Sequence, residues 1–93
     1  MAQEESVSKP HGTTYTQHFE HMLGERQIER SWVERAITAP DRIEEPGDDT
    51  RHYVCRITER GARWLRVVVN VSVQPPRAIT VFFDRRLRNT PCG

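Results

Sequence analysis

The sequence has no long hydrophobic run, only two cysteines and a single lysine. No apolar segment approaches the ~20 residues that a transmembrane helix needs, so we expect no membrane span. Residues 1–12 are polar and contain no apolar stretch, which does not fit a secretory signal, and we expect a cytoplasmic protein. Cys55 and Cys92 do not suggest a disulfide framework, and the scattered glycines form no phosphate-binding loop.

The charge is unevenly distributed along the 93 residues, a length that suits one domain. Residues 1–50 carry five basic and eleven acidic side chains, whereas residues 51–93 carry nine arginines against Glu59 and Asp84. Arginine presents a planar set of donors that suits phosphate and stacks on bases. The C-terminal half therefore has a bias toward anion binding, unless its arginines pair with the acidic helices.

The N-terminal half predicts two helices. Residues 1–12 are expected to be a disordered tail, and residues 13–15 favour a short edge strand. Thr16 is a candidate N-cap for a first helix with an apolar stripe. Ser31 and Glu34 have the spacing of a capping box for a second helix, which Pro40 ends. The apolar positions of the two helices are Phe19, Met22, Leu23, Trp32, Val33, Ala36 and Ile37.

The C-terminal half predicts antiparallel strands at 42–45, 51–59, 63–73 and 77–84, with a turn at 46–49. The strand at 63–73, which we expect to be the central one, has apolar residues on the side that faces the helices. Trp64, Arg66, Val68 and Asn70 lie on its other side, which we expect to face outward. We therefore expect an α+β domain at 13–88, followed by a tail at 89–93. Two N-terminal helices would pack on one face of a three- to four-stranded antiparallel sheet, with the option of a short N-terminal edge strand.

Several spaced motifs carry a resemblance to a known family. They are His18 with Arg26-Gln27-Ile28, Trp32-Val33-Glu34, Pro40, RWLRVVVN at 63–70 and TVFFDRR at 80–86. Over roughly residues 13–88, the chain resembles a small bacterial domain-of-unknown-function family that is grouped with BrnT and the RelE/ParE toxin superfamily. One departure is the bulky Phe19, where the family often has a small residue after the helix histidine.

The resemblance implies a RelE-like fold. In the toxin relatives it also implies mRNA cleavage, on the ribosome or on free RNA, that a partner antitoxin neutralises. The positions that match the family's motifs are His18, Arg26, Arg66, Asp84, Arg85 and Arg86.

RNA cleavage through the 2′-hydroxyl needs a base, an acid and cations for the phosphate. The candidate catalytic residues are His18, His52 and Arg66, and the candidate RNA- or phosphate-binding residues are Arg26, Arg56, Trp64, Phe82, Arg85 and Arg86. No metal or other cofactor is expected, although His18, His21 and Glu25 share part of a helical face.

Each candidate also has a structural interpretation. His18 could hydrogen-bond at its helix start, His52 could be an ordinary surface residue, and Arg66 could pair with Glu20, Glu25 or Asp84. The aromatic side chains could lie in an interface. Three hypotheses stay open: a toxin-like protein that binds and cleaves RNA, a non-catalytic binding module or homodimer, and a subunit that exists to bind an antitoxin.

Overall fold

The computed structural model of the protein describes residues 12–87, so the expected tails lie outside the described residues apart from Gly12. Its elements, in chain order, are β1 (Thr14–Tyr15), α1 (Gln17–Glu25), α2 (Arg30–Thr38), β2 (Arg42–Glu44), β3 (Thr50–Ile57), β4 (Arg63–Asn70) and β5 (Arg77–Phe83). Short 3₁₀ turns follow β3 and β5. Within the described range, neither helix is long and apolar enough to cross a bilayer.

The five strands form one mixed sheet in the order β1-β5-β4-β3-β2. The pairs β2–β3, β3–β4 and β4–β5 are all antiparallel, as the sequence predicts. The optional N-terminal edge strand is present as β1, and it corrects the expectation of a purely antiparallel sheet, because it pairs parallel with β5. Since the whole domain separates β1 from β5, no hairpin turn imposes an antiparallel direction on this pair.

The two helices cover one face of the sheet, which confirms the α+β prediction. The shared core contains the apolar stripes of both helices together with Leu65, Val67 and Val69 of β4, all three of which are fully buried. Because side chains alternate along a strand, Trp64, Arg66 and Val68 lie on the opposite face, which we call the open face. The central position of β4, between β3 and β5, is confirmed.

The helix starts follow the prediction in one case only. Thr16 is the N-cap of α1, and its Oγ1 accepts a hydrogen bond from the backbone N–H of Phe19 at 3.0 Å. The capping box at Ser31 is wrong, because α2 begins at Arg30 and its N-cap, Glu29, makes no side-chain cap bond. The short link buries Ile28, whose N–H donates to the carbonyl of Leu23 at 2.9 Å, and α2 begins two residues later at Arg30.

The two edges of the sheet differ. On the β5 side, Arg26, the C-cap residue of α1, donates from Nη1 to the carbonyl oxygen of Val81 at 2.9 Å, so the end of the helix partly covers that edge. On the other side, β2 pairs with β3 through one edge, and no strand of the described residues pairs with its outer edge. Its middle residue, Ile43, is 51% exposed.

Candidate functional site

Arg66 is the centre of a charged network on the open face. Its Nε donates to Oδ2 of Asp84 at 2.8 Å, and its Nη1 donates to Oε1 of Glu44 at 2.8 Å. The same Nη1 lies 2.9 Å from Nδ1 of His52. Arg66 is only 4% exposed and Asp84 only 3%. The guanidinium is thus buried and bound by two carboxylates, which leaves it little capacity to contact an RNA phosphate directly.

Asp84 is held ionised by two arginines. The side chain of Arg86, which donates to both carboxylate oxygens at 3.0 and 3.1 Å, and then the side chain of Arg66 lower the pKa of Asp84 to about 2, against the opposing effect of burial. The hydrogen bond from Arg66 likewise lowers the pKa of Glu44. The network therefore keeps both carboxylates charged at neutral pH.

The position of Arg66 sets the tautomer of His52. A guanidinium has donors and no acceptor, so Nδ1 of His52 accepts the hydrogen bond and the proton of the neutral ring is on Nε2. In this state His52 offers a hydrogen-bond donor to a ligand. Removing the 2′-hydroxyl proton with Nε2 would require the other tautomer, and hence loss of the bond to Arg66.

The structure does not bring His18 to this network. His18 is exposed on α1, and α1 packs on the face of the sheet opposite to Arg66. Its neighbour His21 lies 3.2 Å from Glu25, with both side chains exposed. The described residues contain no group of three or more His, Cys, Asp or Glu side chains that could hold a metal ion. Of the three predicted catalytic residues, only His52 and Arg66 meet.

The aromatic candidates are less accessible than the sequence predicts. Trp64 is 8% exposed, and the guanidinium of Arg56 lies 6.0 Å from the centre of its ring. A base could stack on Trp64 only if Arg56 moved. Phe82 is half-buried and lies directly across from Arg66 in the β4–β5 ladder. Arg26 belongs to the edge of the sheet, where it binds the carbonyl of Val81.

Arginines gather where β3 ends, β4 begins and β5 ends. This arginine end consists of Arg56, Arg60, Arg63, Arg85 and Arg86. Register brings them together, since Ile57 pairs with Arg63 and the backbone N–H of Asp84 donates to the carbonyl of Trp64 at 2.8 Å.

Two members of the arginine end are available for a ligand. Arg63 and Arg85 are exposed and line a small pocket with Phe83 and Asp84. Neither forms an ion pair with a residue in the 12–87 range. The nearby Glu59 is already bound by Arg35 through two hydrogen bonds at 3.0 and 2.8 Å, and these bonds lower its pKa to about 2. The acidic residues of the β2–β3 turn lie at the other end of the sheet.

Sequence reasoning missed Glu44 and Arg63 as site residues. Glu44 pairs with His52 across the β2–β3 ladder, and counting back from the turn at Pro46 and Gly47 would have placed it there. Arg63 was one arginine among nine, and only the pairing of β3 with β4 places it beside Arg85. The missing signal was therefore strand register.

Comparison with known proteins gives a family and no function. No curated protein and no solved structure matches the chain significantly. A family described as a domain of unknown function, DUF4258, matches residues 15–83. This match covers α1, α2 and all of β2 to β5, with Glu44, His52 and Arg66 of the charged network, and it ends one residue before Asp84. The chain therefore belongs to the DUF4258 family.

Proposed function

We propose that the protein binds single-stranded RNA through its arginine end, as a toxin-like member of a toxin–antitoxin pair. The observation that carries the proposal is the pair of exposed arginines, Arg63 and Arg85, beside Phe83 at one end of the sheet. Arginine side chains bind phosphate through parallel hydrogen bonds, and the surrounding arginines add to the positive potential.

The sequence resemblance to BrnT and the RelE/ParE toxins supports this proposal. Two helices on one face of antiparallel strands are consistent with the RelE-like fold that the resemblance implies, although β1 adds a parallel pair. RNA, free or on the ribosome, is the substrate that such a protein would bind. The resemblance also implies an antitoxin, and an acidic partner could compete with RNA for the arginine end.

RNA cleavage is a second candidate function, and it rests on His52. The bond from Arg66 leaves the proton of the neutral ring on Nε2. In this tautomer Nε2 can donate a hydrogen bond to a phosphate oxygen, but it cannot remove the proton of the 2′-hydroxyl. Arg66, which touches His52, Glu44 and Asp84, would act as a positioning residue. Binding is therefore the primary proposal. We expect ¹⁵N NMR of the neutral imidazole to show a protonated Nε2 and an unprotonated Nδ1. A protonated Nδ1 would contradict the tautomer.

RNA binding can be measured by fluorescence anisotropy with a labelled, unstructured oligonucleotide. Arg63→Gln and Arg85→Gln should each weaken binding severalfold and reduce the slope of log K against log salt by ~0.7, the value for one phosphate contact on a single strand. Arg77→Gln is the matched control, because Arg77 is an exposed arginine at the start of β5, the opposite end of that strand. Equal losses from all three variants, or no binding by the wild-type protein at about 50 mM salt, would refute the proposal.

The same samples test cleavage. Incubation of RNA with wild-type protein and with His52→Gln, followed by gel electrophoresis, separates binding from turnover. Cleavage by the wild-type protein that His52→Gln abolishes would support the second function. Binding with intact RNA would leave the protein as a non-catalytic RNA-binding module, which is one of the hypotheses drawn from the sequence.

A further inference from the structure

We propose that β2 is a self-association edge, through which two copies of this chain pair their β2 strands antiparallel about a two-fold axis perpendicular to the sheet. The proposal does not depend on RNA binding. The starting observation is Ile43, the one large hydrophobic side chain that is exposed among the described residues. It lies in the middle of a strand whose outer edge pairs with no other strand of that range.

The sequence of β2 is complementary to itself. Its residues are Arg42, Ile43 and Glu44, so an antiparallel pair centred on Ile43 places each Arg42 opposite Glu44 of the second copy. Opposite charges directly across a ladder are stabilising, whereas like charges are destabilising. The two isoleucines would face each other at the axis and cover the surface that each leaves exposed.

The positions of the side chains fit this arrangement. Ile43 pairs with Tyr53 in the β2–β3 ladder, and Tyr53 packs against the core beneath the helices. A two-fold axis perpendicular to the sheet keeps the two helix layers on one side. The ion pairs of Arg42 and Glu44 would then lie on the open face. There Glu44 already binds Arg66 and, at 3.3 Å, Nη1 of Arg42 in its own chain, so the pairs between copies would extend an existing cluster of charges.

The acidic residues next to β2 limit the strength of the pairing. In this register Asp41 would lie near Glu45 of the second copy, and their repulsion is reduced because each carboxylate has a partner in its own chain. Asp41 accepts the backbone N–H of Arg56 at 2.9 Å, and Glu45 accepts from Nε of Arg51 at 2.6 Å. A three-residue ladder buries less area than a standard interface, so we expect a dissociation constant on the order of 100 µM.

Sedimentation velocity over a concentration series tests the proposal. The wild-type protein should shift from monomer toward dimer as its concentration rises toward about 1 mM, and Ile43→Lys should weaken dimerisation about tenfold or more, because lysine on an edge strand opposes pairing. Thr38→Lys is the matched control, since Thr38 is exposed at the end of α2 and gains the same charge. A wild-type protein that stays monomeric, or equal effects of the two lysines, would overturn the proposal.

Cross-linking tests the register. Facing residues of an antiparallel pair have Cα atoms about 4.5–5.5 Å apart, within the range that a disulfide spans. In a Cys92→Ser background, Ile43→Cys should form disulfide-linked dimers under mild oxidation, and Thr38→Cys should not. Circular dichroism confirms that each variant is folded. Dimers that sediment as expected but give no more cross-linking at position 43 than at position 38 would place the interface elsewhere.

Discussion

Replacing Arg66 with methionine should destabilise the fold more than any surface charge change, because it leaves a buried carboxylate short of its partner. Asp84 is 3% exposed and would retain only Arg86. Removing one member of a buried ion pair costs about 3–5 kcal/mol, and the remaining Arg86 should reduce this to about 2–3 kcal/mol. For a domain of this size the melting temperature should fall by about 10–20 °C.

Arg86→Met is the matched control for this prediction. Arg86 makes three hydrogen bonds to Asp84, yet its side chain is 78% exposed. Water can replace an exposed partner, so its loss should cost clearly less than the loss of Arg66. If burial determines the contribution to the free energy of unfolding, Arg66 contributes more than Arg86, although Arg66 makes fewer hydrogen bonds to Asp84.

The pH dependence follows from the same carboxylate. The pKa of Asp84 is lowered from 3.8 to about 2 in the folded protein, so its stabilising contribution is fully present above about pH 4 and is lost as the pH falls toward 2. After allowance for solvent screening this contribution is about 1–2 kcal/mol. In Arg66→Met the pKa of Asp84 should rise, and acid destabilisation should begin at a higher pH.

Urea denaturation followed by tryptophan fluorescence measures these changes in the free energy of unfolding. The double variant Arg66→Met/Asp84→Leu should recover part of the loss, since replacing both charges leaves no uncompensated ion. Equal costs for Arg66→Met and Arg86→Met would refute the reasoning. So would a cost below about 1 kcal/mol for Arg66→Met, because it would mean that the network is effectively solvated.

Three further predictions concern single contacts. Thr16→Ala should lower stability by about 1 kcal/mol in urea denaturation, with Thr16→Ser close to wild type, because the hydroxyl caps the N–H of Phe19. Arg26→Met should cost about 1 kcal/mol and increase light scattering at high concentration, because it uncovers the carbonyl of Val81 at the sheet edge. Cys55 is 3% exposed, and burial raises the pKa of its thiol. In a Cys92→Ser background, Cys55 should therefore react with a thiol reagent far more slowly in the folded protein than in urea, and equal rates would contradict its burial.

Hydrophobic periodicity predicted the helices and the central strand because it reports directly which side chains are buried. The stripe of Phe19, Met22 and Leu23 and the alternation of Leu65 with Val67 both lead to the core. Periodicity does not reveal which side chains from neighbouring strands cover the open face of the sheet. Arg66 was expected to face outward, with an ion pair to Asp84 as one alternative. The structure confirms that ion pair, and Glu44 encloses the guanidinium from the other side of β4.

The helix start of α2 shows a different limit of local signals. Ser31 and Glu34 have the spacing of a capping box, but the buried Ile28 determines how the chain enters the helix and shifts its start. Tertiary packing outweighed a capping preference of about 1 kcal/mol. The arginine end was visible only as a charge excess of the C-terminal half, because strand register decides which of those arginines become neighbours.

The separation of charge along the sheet gives the molecule an electric dipole. The arginine end lies at one end, and the turn that contains Asp48 and Asp49 lies at the other. Because the net charge of the protein is only +1, its long-range attraction to a polyanion is weak. Its orientation as it approaches a polyanion then depends on the dipole. Under the proposed RNA-binding function, the arginine end would lead as the protein approaches RNA. Salt should therefore slow the encounter rate as well as weaken the bound state.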